Sequence, residues 1–291
     1  MKSVGTRMHS SQPARRIRKQ MSTSSYTSLQ KEYTIAASQR EIFRRDGHIL
    51  LQNVCPIEDI RIFRPLMLAV IDEVITTRDT QGRTEDYSSL FTQVSNVWRK
   101  NELARAFIFA KRFAKIAADL MGTRSVRLYH DQALVKEPGG KPTPLHQDQF
   151  YWPLDTTNTI TMWMPLIDVT REMGTMTFAS GSHKDGLVGK LPISDKADAI
   201  LSDLIKEKNY RLVSYDLKSG DATFHYGLTL HSAHPNSSAV RREVMTIIYY
   251  EDGAKILEPD NEYRKVDMQV FHPDQSPGEL AASPLNPILY P

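Results

Sequence analysis

Cysteine is nearly absent from this chain, in which Cys55 is the only one among 291 residues. A single cysteine cannot form a disulfide within the chain, which excludes a disulfide-stapled secreted protein and favours a reducing, cytoplasmic location. Long apolar runs are absent too, since no stretch approaches the roughly 18 apolar residues that cross a bilayer. The hydrophobic content of 40% and the charged content of 24% are typical of a globular protein with a sizeable core.

Acidic residues are missing from the first 31 positions, which contain seven lysines and arginines. Without those seven charges the net charge of +3 becomes −4 for residues 32–291, so the body is mildly acidic. An acidic body argues against a nucleic-acid partner. We interpret residues 1–33 as a disordered or wrongly assigned tail, with a transit-like targeting segment as the alternative, and residues 34–291 as a single domain.

Helical patterns dominate the first part of the body, and alternating strand patterns dominate the rest. Helices are predicted over residues 39–45, 56–76, 102–121 and 196–208, with a loop over 77–89. Strands are predicted over residues 48–51, 126–134, 145–150, 159–167, 175–179, 212–216, 222–225 and 240–250. This order indicates a mainly β protein of the α+β class, with flanking helices around a β-barrel or β-sandwich.

The first motif with chemical meaning is His146-Gln147-Asp148, on a predicted strand. Residues i and i+2 of a strand point to the same face, so the imidazole of His146 and the carboxylate of Asp148 can converge on one metal ion. A single His-x-Asp is not specific, because an ordinary surface pair has the same spacing.

A second histidine is needed to complete a two-His-one-carboxylate site, which leaves open positions on an iron ion for a chelating keto-acid and dioxygen. Three histidines compete for this place, His225, His231 and His234, after the Gly-Asp turn at residues 220–221. His231 is preferred because an arginine follows it 11 residues later in the sequence. His225 is expected to be a hydrogen-bonded core residue.

That arginine is Arg242, at the start of a predicted strand whose alternate residues Val244, Thr246 and Ile248 are largely apolar. A charge on such a face needs a partner, and a carboxylate of 2-oxoglutarate would supply one. The alternatives are a plain Arg–Glu surface pair, or Arg241 in the same role.

Taken together, His146-Gln147-Asp148, the Gly181-Ser182-His183 turn, Gly220-Asp221, His231 and Arg242 resemble the phytanoyl-CoA dioxygenase (PhyH) family. The early Asp46-Gly47 followed by a strand also resembles that family, and the likeness extends over residues 38–250. It implies a double-stranded β-helix, the jelly-roll or cupin-like fold, with the site in its mouth. It also implies that His183 belongs to a structural turn.

The resemblance implies a role for each matching residue. The Fe(II) ligands would be His146, Asp148 and His231, and the residues around 2-oxoglutarate would be Arg242, Gln132, Trp163 and Ser232. Ser232 is a substitute, because some relatives have a serine two residues after the distal histidine, where this chain has Ala233. Lys136 is a further candidate. Asp148 argues against halogenation, since related halogenases have a small residue at that position.

We therefore predict a dioxygenase that uses Fe(II), 2-oxoglutarate and O2 to hydroxylate or otherwise oxidise a C–H bond of a small natural-product-like or lipophilic molecule. Phe150, Tyr151 and Trp152 are predicted to line its pocket, although they could equally pack the barrel. The alternatives are an acyl-CoA or amino-acid-like hydroxylase of the same family and a non-oxidative metal-binding jelly roll. We expect no nucleic-acid or membrane partner, and a monomer or a homodimer fits equally.

Overall fold

A computed structural model describes residues 27–80 and 90–291 of the chain. Most of the predicted tail and most of the predicted loop over residues 77–89 therefore lie outside the described residues. The first part of that loop is helical, because the helix predicted to end near residue 76 continues to Thr80.

Three of the four predicted helices, those over residues 39–45, 56–76 and 196–208, are present with small shifts at their ends, and the structure adds short or C-terminal helices that the patterns did not predict. The helices are α1 (Thr27–Gln30), α2 (Ala37–Asp46), α3 (Ile57–Thr80), α4 (Val97–Lys100), α5 (Glu102–Ile108), α6 (Lys111–Met121), α7 (Asp195–Glu207) and α8 (Glu262–Phe271). Short 3-10 helices cover Asp148–Phe150, Arg171–Met173 and Ser182–Asp185. Gly47 ends α2 with a φ of 80°, and a Cβ there would lie 2.3 Å from Nδ1 of His183. Only glycine fits that turn.

The single helix predicted over residues 102–121 is wrong, because the chain bends at Phe109 and Ala110 between α5 and α6. Asn101 caps α5, and its side-chain oxygen accepts hydrogen bonds from the backbone N–H groups of the second and third residues of the helix. The bend lets the rings of Phe107 and Phe113 meet at 5.0 Å in the core. Apolar residues continue at helical spacing through the bend, so their period does not reveal it.

The strands begin after α2 and dominate the chain from residue 126 onward. They are β1 (His48–Leu51), β2 (Phe91–Ser95), β3 (Val126–Lys136), β4 (Thr143–His146), β5 (Thr159–Pro165), β6 (Met176–Ser180), β7 (Arg211–Ser214), β8 (Ala222–Tyr226), β9 (His231–Ala233), β10 (Arg242–Glu251) and β11 (Ile288–Tyr290). The predicted strand over residues 145–150 is wrong beyond its start, since β4 ends at His146 and a 3-10 helix follows.

Two antiparallel sheets face each other within the described residues. The larger has the order β1-β8-β5-β10-β3-β11, with β2 also paired to β3, and the smaller has the order β4-β9-β6-β7. The helices of the first half pack with the outer face of the larger sheet in the main hydrophobic core. The predicted double-stranded β-helix with flanking helices is confirmed, and its inner space lies between the sheets.

Residues 27–33, which the sequence analysis assigned to the tail, pack against the body instead. Leu29 of α1 is 1% exposed and belongs to the main core, and the hydroxyl of Ser28 donates a hydrogen bond to Asp59. The predicted boundary is therefore too late in the sequence, because one buried leucine in a polar segment leaves no periodic pattern. Of the helices described, none is both long and apolar enough to cross a membrane.

Replacing this leucine tests where the folded body begins. Leu29→Ala is expected to lower the free energy of unfolding by about 2–4 kcal/mol, because it leaves a cavity in the main core. Leu280→Ala is the matched control, since Leu280 is 54% exposed, and its effect should stay within about 0.5 kcal/mol. Urea unfolding followed by circular dichroism measures both, and equal effects would contradict the packing of α1.

Candidate metal centre and active site

Three side chains that can bind a metal meet between the sheets. His146 ends β4 and His231 begins β9, and the two residues pair directly across these strands. Their imidazoles and the carboxylate of Asp148 offer ligand atoms that all lie within 4.8 Å of one another. The structure therefore brings together the three residues that the sequence analysis selected.

Asp148 reaches this site in a different way from the one expected. It begins the 3-10 helix after β4, so the two-residue repeat of a strand does not place it next to His146. The intervening Gln147 is buried, and its side chain donates to the carbonyls of Gly186 and Leu228 and accepts from the N–H of Val188. These three bonds hold the backbone between the two ligands to two neighbouring loops.

Both histidines have the tautomer that a metal requires. Nδ1 of His146 lies 2.8 Å from the carbonyl oxygen of Pro144, and Nδ1 of His231 lies 2.9 Å from that of Thr229. A carbonyl only accepts, so each Nδ1 carries the proton and each Nε2 presents a lone pair to the site. Burial, reinforced by the neighbouring imidazole of His146, lowers the pKa of His231 well below its usual value, which keeps it neutral.

The carboxylate of Asp148 is held through both oxygens. Oδ1 lies 3.5 Å from Nε2 of His146 and 3.7 Å from Nε2 of His231. Oδ2 accepts from the hydroxyl of Thr161 at 3.0 Å and from Nε2 of His225 at 3.3 Å. Burial raises the pKa of Asp148, but the neighbouring imidazoles of His231, His146 and His225 outweigh it and hold the pKa well below its usual range.

The remaining histidines have other partners. Nε2 of His183 lies 3.0 Å from the carbonyl oxygen of Arg44, and the ring stacks on Tyr226. His234 bonds to the hydroxyl of Thr177 near the surface. His225 is the hydrogen-bonded core residue that was expected, and it orients a ligand as well. Thr161 was missed because a threonine within an apolar strand carries no motif.

A cavity of about 600 Å³ opens around the three ligands and runs along the paired strands β3 and β10. The seven residues from Arg242 to Ile248 span about 20 Å of strand. We call the part lined by Arg242, Trp163, Gln132, Thr246 and Phe91 the inner end, and the part lined by His130, Ile248, Tyr151, Trp152, Asp267 and Phe271 the outer end. The ligands lie between them, beside Thr161, which pairs with Ile248.

Arg242 is a buried cation at the inner end with no acidic partner in the part of the chain that the structure describes. It is 1% exposed, one N–H donates to the carbonyl of Gly174, and its Nε makes no hydrogen bond. The guanidinium lies over the rings of Trp163 and Phe91, at 5.6 and 5.9 Å. Burial lowers its pKa to about 10. Arg241 lies nearer the surface, within 4 Å of three carboxylates.

A second buried cation, Lys136, pairs with Arg242 across β3 and β10. It is 1% exposed, and its ammonium donates to the carbonyl of His234 at 2.9 Å. Burial, reinforced by the charge of Arg242, lowers the pKa of Lys136 to about 7. The inner end thus has two buried basic groups next to each other and no negative charge paired with them among the described residues.

The other predicted residues of the inner end differ in position. Gln132 and Trp163 line the cavity, and the amide oxygen of Gln132 lies 3.4 Å from the hydroxyl of Thr246. Ser232 also borders the cavity, but strand alternation turns it to the opposite face of β9 from His231. Ala233 shares the face of His231 and offers no hydrogen bond.

Of the three aromatic residues predicted to line a substrate pocket, two border this cavity. Tyr151 and Trp152 border the outer end, whereas Phe150 is absent from its lining. The 3-10 helix turns Phe150 away from the cavity, where it is buried with its ring edge against Tyr151. The inclusion of Phe150 was therefore wrong, because the helix replaces the extended backbone that was assumed.

A jelly roll that holds two imidazoles and one carboxylate on a single face, beside a buried arginine, defines the class of non-haem Fe(II)- and 2-oxoglutarate-dependent dioxygenases. The profile of the phytanoyl-CoA dioxygenase (PhyH) family matches residues 43–244, about two thirds of the chain. The chain belongs to this family, which confirms the resemblance noted in the sequence.

Curated relatives carry the same family name at moderate identity. The match to phytanoyl-CoA dioxygenase domain-containing protein 1 of Danio rerio is 31% identical over 135 residues, 44% of this chain and 46% of the relative. The matched segment therefore spans less than half of the length of that relative. The peroxisomal phytanoyl-CoA dioxygenase of Homo sapiens is 24% identical over 78% of this chain and 73% of its own length.

Solved structures of the same fold come from enzymes of varied function. The non-haem α-ketoglutarate-dependent carbocyclase SnoK from nogalamycin biosynthesis superposes with a TM-score of 0.71 at 24% identity, over 89% of this chain and 99% of SnoK. EctD from S. alaskensis, solved with 2-oxoglutarate and 5-hydroxyectoine, gives 0.62 at 16% identity, over 79% and 83%. At these identities the likeness shows the fold.

The depressed pKa of Lys136 makes a prediction for stability. An unfolded lysine titrates near pH 10.4, so between about pH 7 and 10 the unfolded chain binds a proton that the folded chain lacks. The buried charge therefore destabilises the free protein fully below pH 7, and this cost fades as the pH rises toward 10. Lys136→Met should be most stabilising at pH 6.5 and progressively less so at pH 8 and 9.5.

Free energies of unfolding in urea measure this change, and they are compared as differences between variant and wild type. Lys196→Met, at an exposed position of α7, is the matched control and should show no such trend. A stability difference for Lys136→Met that stays constant across these pH values would contradict a neutral buried amine.

Proposed function

We propose that this protein oxidises a C–H bond of a small lipophilic organic molecule, with His146, Asp148 and His231 holding Fe(II) and the inner end of the cavity holding 2-oxoglutarate. One observation carries the proposal. The buried guanidinium of Arg242 has no acidic partner among the described residues, and it lies in the same cavity as the three metal-binding side chains. A dianionic keto-acid satisfies both ends at once.

Each residue of the inner end has a part in this proposal. Arg242 binds the distal carboxylate of 2-oxoglutarate through its free N–H groups, and Trp163 covers the hydrocarbon part of the molecule. Gln132 and Thr246 offer polar groups between the arginine and the metal site. Ser232, at the edge of the cavity, is the least directly placed of the predicted contacts. Bound together, iron and 2-oxoglutarate supply the oxidation by O2, with release of succinate and carbon dioxide.

The protein's own contribution is orientation and shelter. Thr161 and His225 fix the second oxygen of Asp148, so that its first oxygen stays turned toward the two imidazoles. The carbonyls of Pro144 and Thr229 fix the rings of those imidazoles. The aromatic walls present an apolar surface to the cavity, which disfavours water beside the place where iron and 2-oxoglutarate would be held.

The substrate is proposed from the cavity. Its outer end is largely aromatic and apolar, which suits a lipophilic or natural-product-like molecule. The names of the curated relatives favour an acyl-CoA instead. Against that alternative, the arginines and lysines of the described lining are Arg242, at the inner end, and Lys141. Two cations so placed do not form the basic cluster that a CoA phosphate would need. A cytoplasmic location is proposed on the near-absence of cysteine alone.

An anaerobic titration with Fe(II) and 2-oxoglutarate tests the metal and co-substrate assignment. A weak visible charge-transfer band should develop in the wild type, because the keto-acid chelates the iron next to the three ligands. His231→Ala should abolish the band, and His234→Ala should leave it unchanged, since His234 bonds near the surface. A wild type that binds Fe(II) without developing the band would overturn the proposed function.

The role of Arg242 is tested by affinity for 2-oxoglutarate. Arg242→Lys is expected to weaken binding by about 100-fold, because an ammonium cannot make two parallel hydrogen bonds to a carboxylate. Arg241→Ala is the control, and its dissociation constant should stay within about twofold of the wild type. Fe(II) binding without 2-oxoglutarate, measured in parallel, should be retained in both variants. Equal losses for the two arginines would contradict the assignment.

A further inference from the structure

The outer end of the cavity contains one acidic group that the proposed chemistry does not use. Asp267 lies in the middle of α8, and its carboxylate borders the cavity together with Phe271 of the same helix. The neighbours Val266 and Val270 line the same space and are about half exposed, so this face of α8 forms the rim of the mouth. A lone carboxylate among such residues is unusual and calls for a partner.

The structure gives Asp267 a hydrogen bond at only one of its two carboxylate oxygens. Oδ2 accepts from the phenol of Tyr129 at 2.9 Å, and no described residue donates to Oδ1. No lysine or arginine of the described chain forms an ion pair with it. Arg264, one turn earlier on α8, is engaged with Asp260 and with the carbonyls of Gln149 and Phe150.

Tyr129 holds this carboxylate rigidly. The phenol ring is fully buried and packs against Trp152 at 5.4 Å and Phe271 at 5.5 Å. Next to it on β3, His130 stacks on Phe271 at 4.1 Å, and its Nδ1 has no hydrogen-bond partner among the described residues. Asp267 is thus a fixed hydrogen-bond acceptor among the aromatic side chains of the outer end, rather than a mobile acid on the surface.

The electrostatics agree with a missing positive partner. Burial raises the pKa of Asp267 to about 7, and the charge of Asp148 adds to this, while the bond from Tyr129 acts in the opposite direction. No cation contributes. A positively charged group placed against the free oxygen would restore the ionised form and recover part of the desolvation cost.

We propose that the outer end of the cavity selects a substrate whose apolar body carries a basic amine, and that the ammonium binds to the free oxygen of Asp267. This rests on the proposed function, because it takes the metal site as the place of oxidation. The aromatic walls formed by Tyr151, Trp152 and Phe271 hold the apolar body. The amine then stays at the mouth, and the carbon to be oxidised points inward to the metal.

Three probes of one shape and different charge test this proposal: 1-naphthylmethylamine, 1-naphthylmethanol and 1-naphthoic acid. Each is titrated anaerobically by calorimetry into the protein loaded with Fe(II) and 2-oxoglutarate. We expect the amine to bind about 10-fold more tightly than the alcohol, and the acid to bind most weakly. Asp267→Asn, which keeps the shape and removes the charge, should bring the amine and the alcohol within about twofold of each other.

Two further variants separate charge from structure. Glu262→Gln, on the exposed side of α8, is the matched control and should keep the full preference for the amine. Tyr129→Phe keeps the carboxyl group but removes a hydrogen bond that favours its ionised form, so it should reduce the preference for the amine without abolishing it. The charge-transfer band, recorded on each loaded sample, reports whether the metal and 2-oxoglutarate are in place.

Several results would overturn the proposal. They are equal binding of amine and alcohol in the wild type, no binding of any probe, and a preference for the amine that survives Asp267→Asn. The last result would mean that the amine binds elsewhere, for instance to the iron. If the preference fails while the charge-transfer band is intact, the proposed function stands and only the substrate class falls. If the band itself is absent, the proposed function falls first.

Discussion

The largely buried carboxylate of Asp148 is the group on which the rest of the active site depends. A carboxylate away from water must be compensated, and the compensation comes from His146, His231, His225 and Thr161. These four residues lie on β4, β9, β8 and β5, which belong to both sheets. The two sheets must therefore close on each other before the carboxylate is satisfied, so the closure of the jelly roll and the assembly of the metal site are one event.

The two ends of the cavity have charges of opposite sign. Arg242 makes the inner end positive and Lys136 adds to this charge when it is protonated; burial lowers the pKa of both groups, so the free protein holds these charges at a cost. Asp267 makes the outer end negative. A diacid is drawn to one end and a cation to the other, so two molecules of unlike charge can fill the same cavity without exchanging places.

Much of this could be predicted from the sequence, and the failures have physical reasons. Alternation and turn signals located most of the strands, and motif order selected Arg242 and the three side chains that the structure brings together. The bend at Phe109 was missed because tertiary packing, rather than period, breaks that helix. The 3-10 helix at Asp148 was missed because three residues are too few to show a period, and the error carried over to Phe150. Thr161 was missed because it acts only through its hydrogen bond to Asp148, which no local sequence pattern indicates.

The position of α8 in the chain has a consequence for how such enzymes diversify. The family profile ends at residue 244, whereas α8 covers Glu262–Phe271. The three candidate metal ligands and Arg242 thus lie inside the segment that the family profile covers. One wall of the outer end of the cavity is formed by α8, which follows that segment in the sequence. Mutation or exchange of that C-terminal segment could change what is oxidised without altering how it is oxidised, so selectivity and chemistry are free to evolve separately.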